Sequence, residues 1–213
     1  MGSFKEVNSG IPSLDQVLHH IRMGDNVVWQ VSSLNDYRIF TEPFARQMVC
    51  EGRNLIYIRF SGQESVLEDF IGVQTYCLDA SSGFESFTVK VHNIITKEGK
   101  GAIYIFDSLS DLQAAWFTDL MMGNFFCVTC PYLFEMDTVA FFPILRGHHS
   151  FETIARIRET TQLFLDVYSD ENIRYLHPIK VWNRYSPEMF LPHRLEKDLS
   201  FSVLSNGIDM SSF

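Results

Sequence analysis

Asn26-Val27-Val28-Trp29-Gln30-Val31-Ser32-Ser33-Leu34-Asn35-Asp36-Tyr37-Arg38-Ile39-Phe40 passes from an almost unbroken apolar stretch, through polar residues, into a segment with helical spacing. The first six residues read as a strand buried on both faces, because no alternation of polar and apolar residues marks a solvent side. The following helix carries Phe40, Phe44, Ala45 and Met48 on one face and stops at Gly52, a typical C-terminal cap. Upstream, Ser9-Gly10-Ile11-Pro12-Ser13-Leu14-Asp15 has a helix-start signature, with Pro12 suited to the first turn. Leu14, Val17, Leu18 and Ile21 then recur at helical spacing, and Gly24 marks the turn out. Residues 55–60 form another apolar strand, so the order is helix, strand, helix, strand, as in a parallel α/β sheet.

Further along, the pattern predicts a short strand at 75–78, a helix over 84–97 and a strong strand over 102–106 that delivers Asp107 and Ser108. Ser110 is expected to cap a helix in which Leu112, Ala115, Trp116 and Leu120 share a face and which ends at Gly123. A fourth strand is predicted over 125–129, cut off by Pro131, then a helical or irregular segment to about Gly147 and a helix near 151–158. Residues 162–168 and 173–185, joined by Ser169-Asp170-Glu171-Asn172, read as an antiparallel hairpin closing one edge of the sheet. Residues 1–195 are expected to form one domain, and 196–213 a polar, linker-like tail, as if the natural chain continued.

The 213 residues are 46% hydrophobic and 20% charged, the balance of a globular domain. A net charge of −9 argues against nucleic acid as a partner, since phosphates are held by Lys and Arg. The one basic stretch, with Arg174, Lys180, Arg184, His193 and Arg194, reads more simply as a solvated strand face. Nineteen Phe residues supply much core area and can also form a sticky face for a partner. Cys50, Cys77, Cys127 and Cys130 follow no signal peptide, and no apolar run spans a bilayer, so reduced thiols, a cytoplasmic location and no membrane partner are expected. Cys127 and Cys130 have CxxC spacing, but one such pair is half a zinc site and in a strand the two point to opposite faces. His148-His149 lacks the spacing of a zinc helix and reads as a loop or helix cap. No G-x-S-x-G elbow supports a hydrolase. No metal site and no catalytic residue are expected.

The order of these pieces resembles the RecA/KaiC-like ATPase family over residues 9–185. The resemblance rests on Ser9-Gly10-Ile11-Pro12-Ser13-Leu14-Asp15, the turn Met23-Gly24-Asp25, the strand after it, and Asp107-Ser108-Leu109 after a later apolar strand. It implies a RecA-like P-loop NTPase fold: a mostly parallel central sheet flanked by helices, with the C-terminal antiparallel hairpin at an edge. A narrower likeness rests on Gly24 to Val31, on Asn124-Phe125-Phe126 through Cys130-Pro131-Tyr132, and on Lys180-Val181-Trp182-Asn183-Arg184-Tyr185-Ser186-Pro187. These stretches resemble the N-terminal region of bacterial proteins that carry a pyruvate phosphate dikinase (PEP synthase) type PEP/pyruvate-binding domain further along. That likeness implies an accessory domain whose phosphotransfer residues lie outside this chain.

The departures from the family are concentrated where chemistry would occur. A working phosphate loop reads G-x-x-x-x-G-K-[ST], with glycines that let backbone N–H groups converge on phosphate. Residues 32–40 contain no glycine and no lysine, Leu34 and Tyr37 are bulky, Asp36 adds negative charge, and Arg38 cannot restore the nest. After the second strand, where the family places acidic residues, Glu64 is displaced and Gln63 stands beside it. Asp107 stands where a carboxylate would organise magnesium, or simply bonds nearby N–H groups and caps the next helix. The expectation is a non-catalytic pseudo-ATPase domain for regulation or assembly, without a cofactor, partnered by its own copies or by a downstream phosphotransferase domain. The alternative is a nucleotide-binding domain with an atypical loop supporting phosphotransfer, in which Asn35, Arg38 and Asp107 contact ATP and magnesium.

Overall fold

The computed structural model describes residues 5–60, 65–67, 71–112, 116, 118–171 and 173–203. In chain order these form β1 (Glu6–Val7), α1 (Pro12–Leu18), β2 (Ile21–Arg22), β3 (Asn26–Val31), α2 (Leu34–Cys50), β4 (Leu55–Phe60), β5 (Val73–Leu78), α3 (Phe84–Glu98) and β6 (Ile103–Phe106). A 3-10 turn (Leu109–Leu112) follows, then α4 (Asp119–Glu135), β7 (Val139–Leu145), α5 (Phe151–Thr160), β8 (Leu163–Asp170), β9 (Ile173–Val181), β10 (His193–Leu195) and β11 (Phe201–Val203). Among the described residues a nine-stranded sheet has the order β11-β10-β9-β8-β3-β7-β6-β4-β5. The six strands from β8 to β5 are parallel, and β9, β10 and β11 run antiparallel to their neighbours.

The parallel strands are apolar on both sides, and helices cover both faces. Val27, Trp29, Tyr57, Ile105 and Phe141 face α1 and α2, whereas Val28, Ile56, Tyr104, Phe106 and Phe142 face α3, α4 and α5. The Phe content is spent mainly here. Phe44 stacks on Phe141 at 4.1 Å and Phe106 on Phe142 at 4.5 Å, one pair on each side of the sheet. This arrangement leaves few Phe side chains for an outer surface, with Phe151 and Phe190 the exposed ones among the described residues.

The helix expected to start at Ser110 and end at Gly123 is not found: a 3-10 turn covers Leu109–Leu112, and α4 is capped at Thr118 and runs on through Gly123. Three further expectations need correction. Residues 125–129 are not a strand but the middle of α4, and the strand that pairs with β3 and β6 is β7. The run Phe125 to Val128 has no polar residue to reveal its period, so a helix and a buried strand look alike there. In α4 the buried residues Met122, Phe125, Phe126, Thr129, Cys130 and Leu133 fall on one helical face, and Pro131 and Cys127 are exposed. A proline inside a central strand removes one ladder hydrogen bond, and β7 contains Pro143. The alternate residues Val139 and Leu145 direct their N–H groups to the β6 side, so the missing N–H of Pro143 falls there too, and the β6 ladder has already ended at Phe141. Second, the β8–β9 hairpin is not outermost, because β10 and β11 extend the sheet beyond it. Third, the boundary at 195 falls inside a hairpin: Phe201–Val203, expected in the tail, pairs antiparallel with His193–Leu195. Residues 204–213 lie outside the described residues, as does Asn172 of the expected turn.

The opening phrase has a structural use. Asp15 accepts the Ser9 N–H at 3.0 Å, and Ser9 Oγ donates to the Ile11 carbonyl, so the chain is tied down before α1 begins. Gly10 sits at φ +78°, and a Cβ there would lie 2.4 Å from the carbonyl oxygen of Pro43 in α2. Gly10→Ala is expected to lower stability by at least about 1–2 kcal/mol from the left-handed backbone alone, with the clash added, as read by urea denaturation. An unchanged midpoint would show that the Gly10–Pro43 approach does not constrain the fold.

Candidate functional site

In open α/β sheets ligands bind at the carboxyl ends of the strands, so the residues after β3, β4, β6 and β7 define the candidate site. After β3 the chain has only Ser32 and Ser33 before α2 begins. Ser33 is an extended N-cap, at φ −147° and ψ 159°, and its Oγ accepts the Asp36 N–H at 3.3 Å. None of residues 32–36 has a positive φ, so the alternation of right- and left-handed residues that makes an anion nest is missing. Asp36 fills the position instead. Its carboxylate accepts the Ser33 hydroxyl at 2.8 Å and Arg174 Nε of β9 at 2.8 Å, placing a negative charge from the chain itself at the positive end of α2.

The three sequence-predicted site residues converge on a backbone segment. Arg38 donates to Asn35 Oδ1 at 2.7 Å, to the Ser65 carbonyl at 2.7 Å and to the Val66 carbonyl at 3.3 Å. Asp107 takes the N–H of the same Val66 at 3.2 Å, the Phe60 N–H at 3.0 Å, and the hydroxyl of Tyr57. The Tyr57 hydroxyl in turn accepts the Val66 N–H at 2.8 Å. Asp107 is completely buried, and burial raises its pKa although these donors pull it down. It therefore anchors the end of β4 and the 65–67 segment, and does not cap the helix after it. Gln63 and Glu64 lie outside the described residues.

Other charges at this edge are also matched internally. Arg146, after β7, pairs with Asp166 of β8, which also accepts Gln30 Nε2 of β3 at 2.9 Å. The basic C-terminal stretch is likewise committed. Arg194 lies 3.2 Å from Glu196, Lys180 donates to the carbonyls of Arg158 and Glu159, and Arg184 makes a buried fork onto Asp25 at 2.7 and 2.8 Å. That last pair joins the turn before β3 to the chain after β9, at the amino edge of the sheet.

One constellation escaped the sequence reading. Ser110 Oγ lies 2.7 Å from His149 Nε2, and His149 Nδ1 lies 2.6 Å from Asp119 Oδ1. An ionised Asp119 accepts only, which places a proton on Nδ1 of His149. The Ser–His–Asp order matches a hydrolase triad, but the surroundings do not. Ser110 is 4% exposed, and its Oγ already accepts the Leu145 N–H at 2.7 Å. The relay ties the turn after β6 to the end of β7 and to the start of α4. Burial raises the Asp119 pKa, but hydrogen bonds from His149, Ser150 and Thr153 outweigh it and hold the carboxyl at about 2. Ser110 and His149 each stand just past a strand end. For His149 the sequence hides that signal, because Val139–Leu145 carries no strand alternation.

Among the described residues no group of three or more His, Cys, Asp or Glu has metal-binding geometry, and no helix is long and apolar enough to cross a membrane. Cys127 is exposed and Cys130 buried on α4, both as free thiols. Comparison with models of known protein families gave no match, and comparison with curated proteins gave none.

Two outcomes follow from these contacts. Among the described residues Asp107 faces three donors, so Asp107→Asn leaves at least one of them opposed by an NH2 group. It is expected to cost about 1–3 kcal/mol, the scale of a lost buried partner, with Asp107→Ala costing at least as much in the same denaturation measurement. Equal stability of wild type and Asp107→Asn would dissolve the anchoring role. For Asp119 the folded pKa of about 2 lies below the ordinary 3.8. Its contribution is thus fully present above 3.8 and is lost as the pH falls through 2. The stability gap between wild type and Asp119→Asn should be widest above pH 4 and close toward pH 2. A gap independent of pH would sink the relay's electrostatic role.

Proposed function

We propose that this chain is a non-catalytic RecA/KaiC-like domain, a pseudo-ATPase used for regulation or assembly. The observation that carries the reading is the Asp36 carboxylate at the start of α2, held by Ser33 and Arg174 where a nucleotide-binding relative would present backbone N–H groups to phosphate. A triphosphate arriving there would have to displace a hydrogen-bonded ion pair and gain no nest in return. Asp107, the candidate magnesium carboxylate, is committed to Tyr57, Phe60 and Val66, and magnesium needs phosphate oxygens beside its protein ligand. The parallel sheet with helices on both faces is compatible with the RecA-like reading. Within it, the domain acts through its surface, on its own copies or on a downstream phosphotransferase domain of the pyruvate phosphate dikinase type.

Titration calorimetry with ATP and magnesium is expected to give no saturable heat up to millimolar nucleotide, and Asp107→Asn should change nothing in that trace. Binding in the micromolar range, lost in Arg38→Ala and Asp107→Asn, would instead establish the atypical nucleotide-binding site. Light scattering on the same protein should show association that grows with concentration, or complex formation with a phosphotransferase domain added in trans. A strict monomer that ignores such a domain would count against the assembly role.

A further inference from the structure

We draw no further inference here: the strongest candidate, the crevice of about 490 Å³ between α2, β9 and the turn after β10, walled by Arg174, Arg194 and Lys197 beside apolar side chains, carries nothing, because Arg174 and Arg194 are already paired with Asp36 and Glu196 and the exposed Lys197 alone defines no ligand.

Discussion

Burial of β3 on both faces is the constraint from which the rest of the architecture follows. Five of its six residues are buried, with only Gln30 partly exposed. Val27, Trp29 and Val31 require a layer on one side and Val28 requires a layer on the other. A strand that cannot meet water on either face must also be paired along both edges, and β7 and β8 do this in parallel. Parallel neighbours need crossovers, which are the helices that cover the two faces. Trp29, stacked on Phe40 at 4.4 Å and packed at 5.5 Å from Phe141, joins strand, helix and neighbouring strand in one cluster.

At the carboxyl edge this architecture ordinarily leaves polar backbone and charge for a ligand. Here the chain answers those groups itself. Asp36 and Ser33 close the start of α2, Arg38 and Asp107 grip the 65–67 segment, and Ser110, His149 and Asp119 bind the next two strand ends together. Several of these contacts span elements distant in the chain, such as Asp36 with Arg174 and Asp107 with Tyr57. The edge is therefore held together by hydrogen bonds and ion pairs that the chain supplies itself.

Much of this was legible in the residues alone. The two-sided apolar strands 26–31, 55–60 and 102–106 and the helical face of Phe40, Phe44, Ala45 and Met48 declare a layered parallel sheet, because side-chain periodicity is a direct image of which faces are buried. The absence of glycine and lysine from residues 32–40 declares that no anion nest forms after the first central strand, because nest geometry depends on local backbone freedom. What the tertiary structure decided was anything resting on residues brought together from afar. Residues 125–129 became helix because the sheet's second face needed covering, and the uniformly apolar run held no period to say so. The Ser110–His149–Asp119 relay and the Asp36–Arg174 closure have no local signature either. A hydrogen bond between side chains is a property of distance in space, and spacing along the chain encodes it only within a single helix or turn.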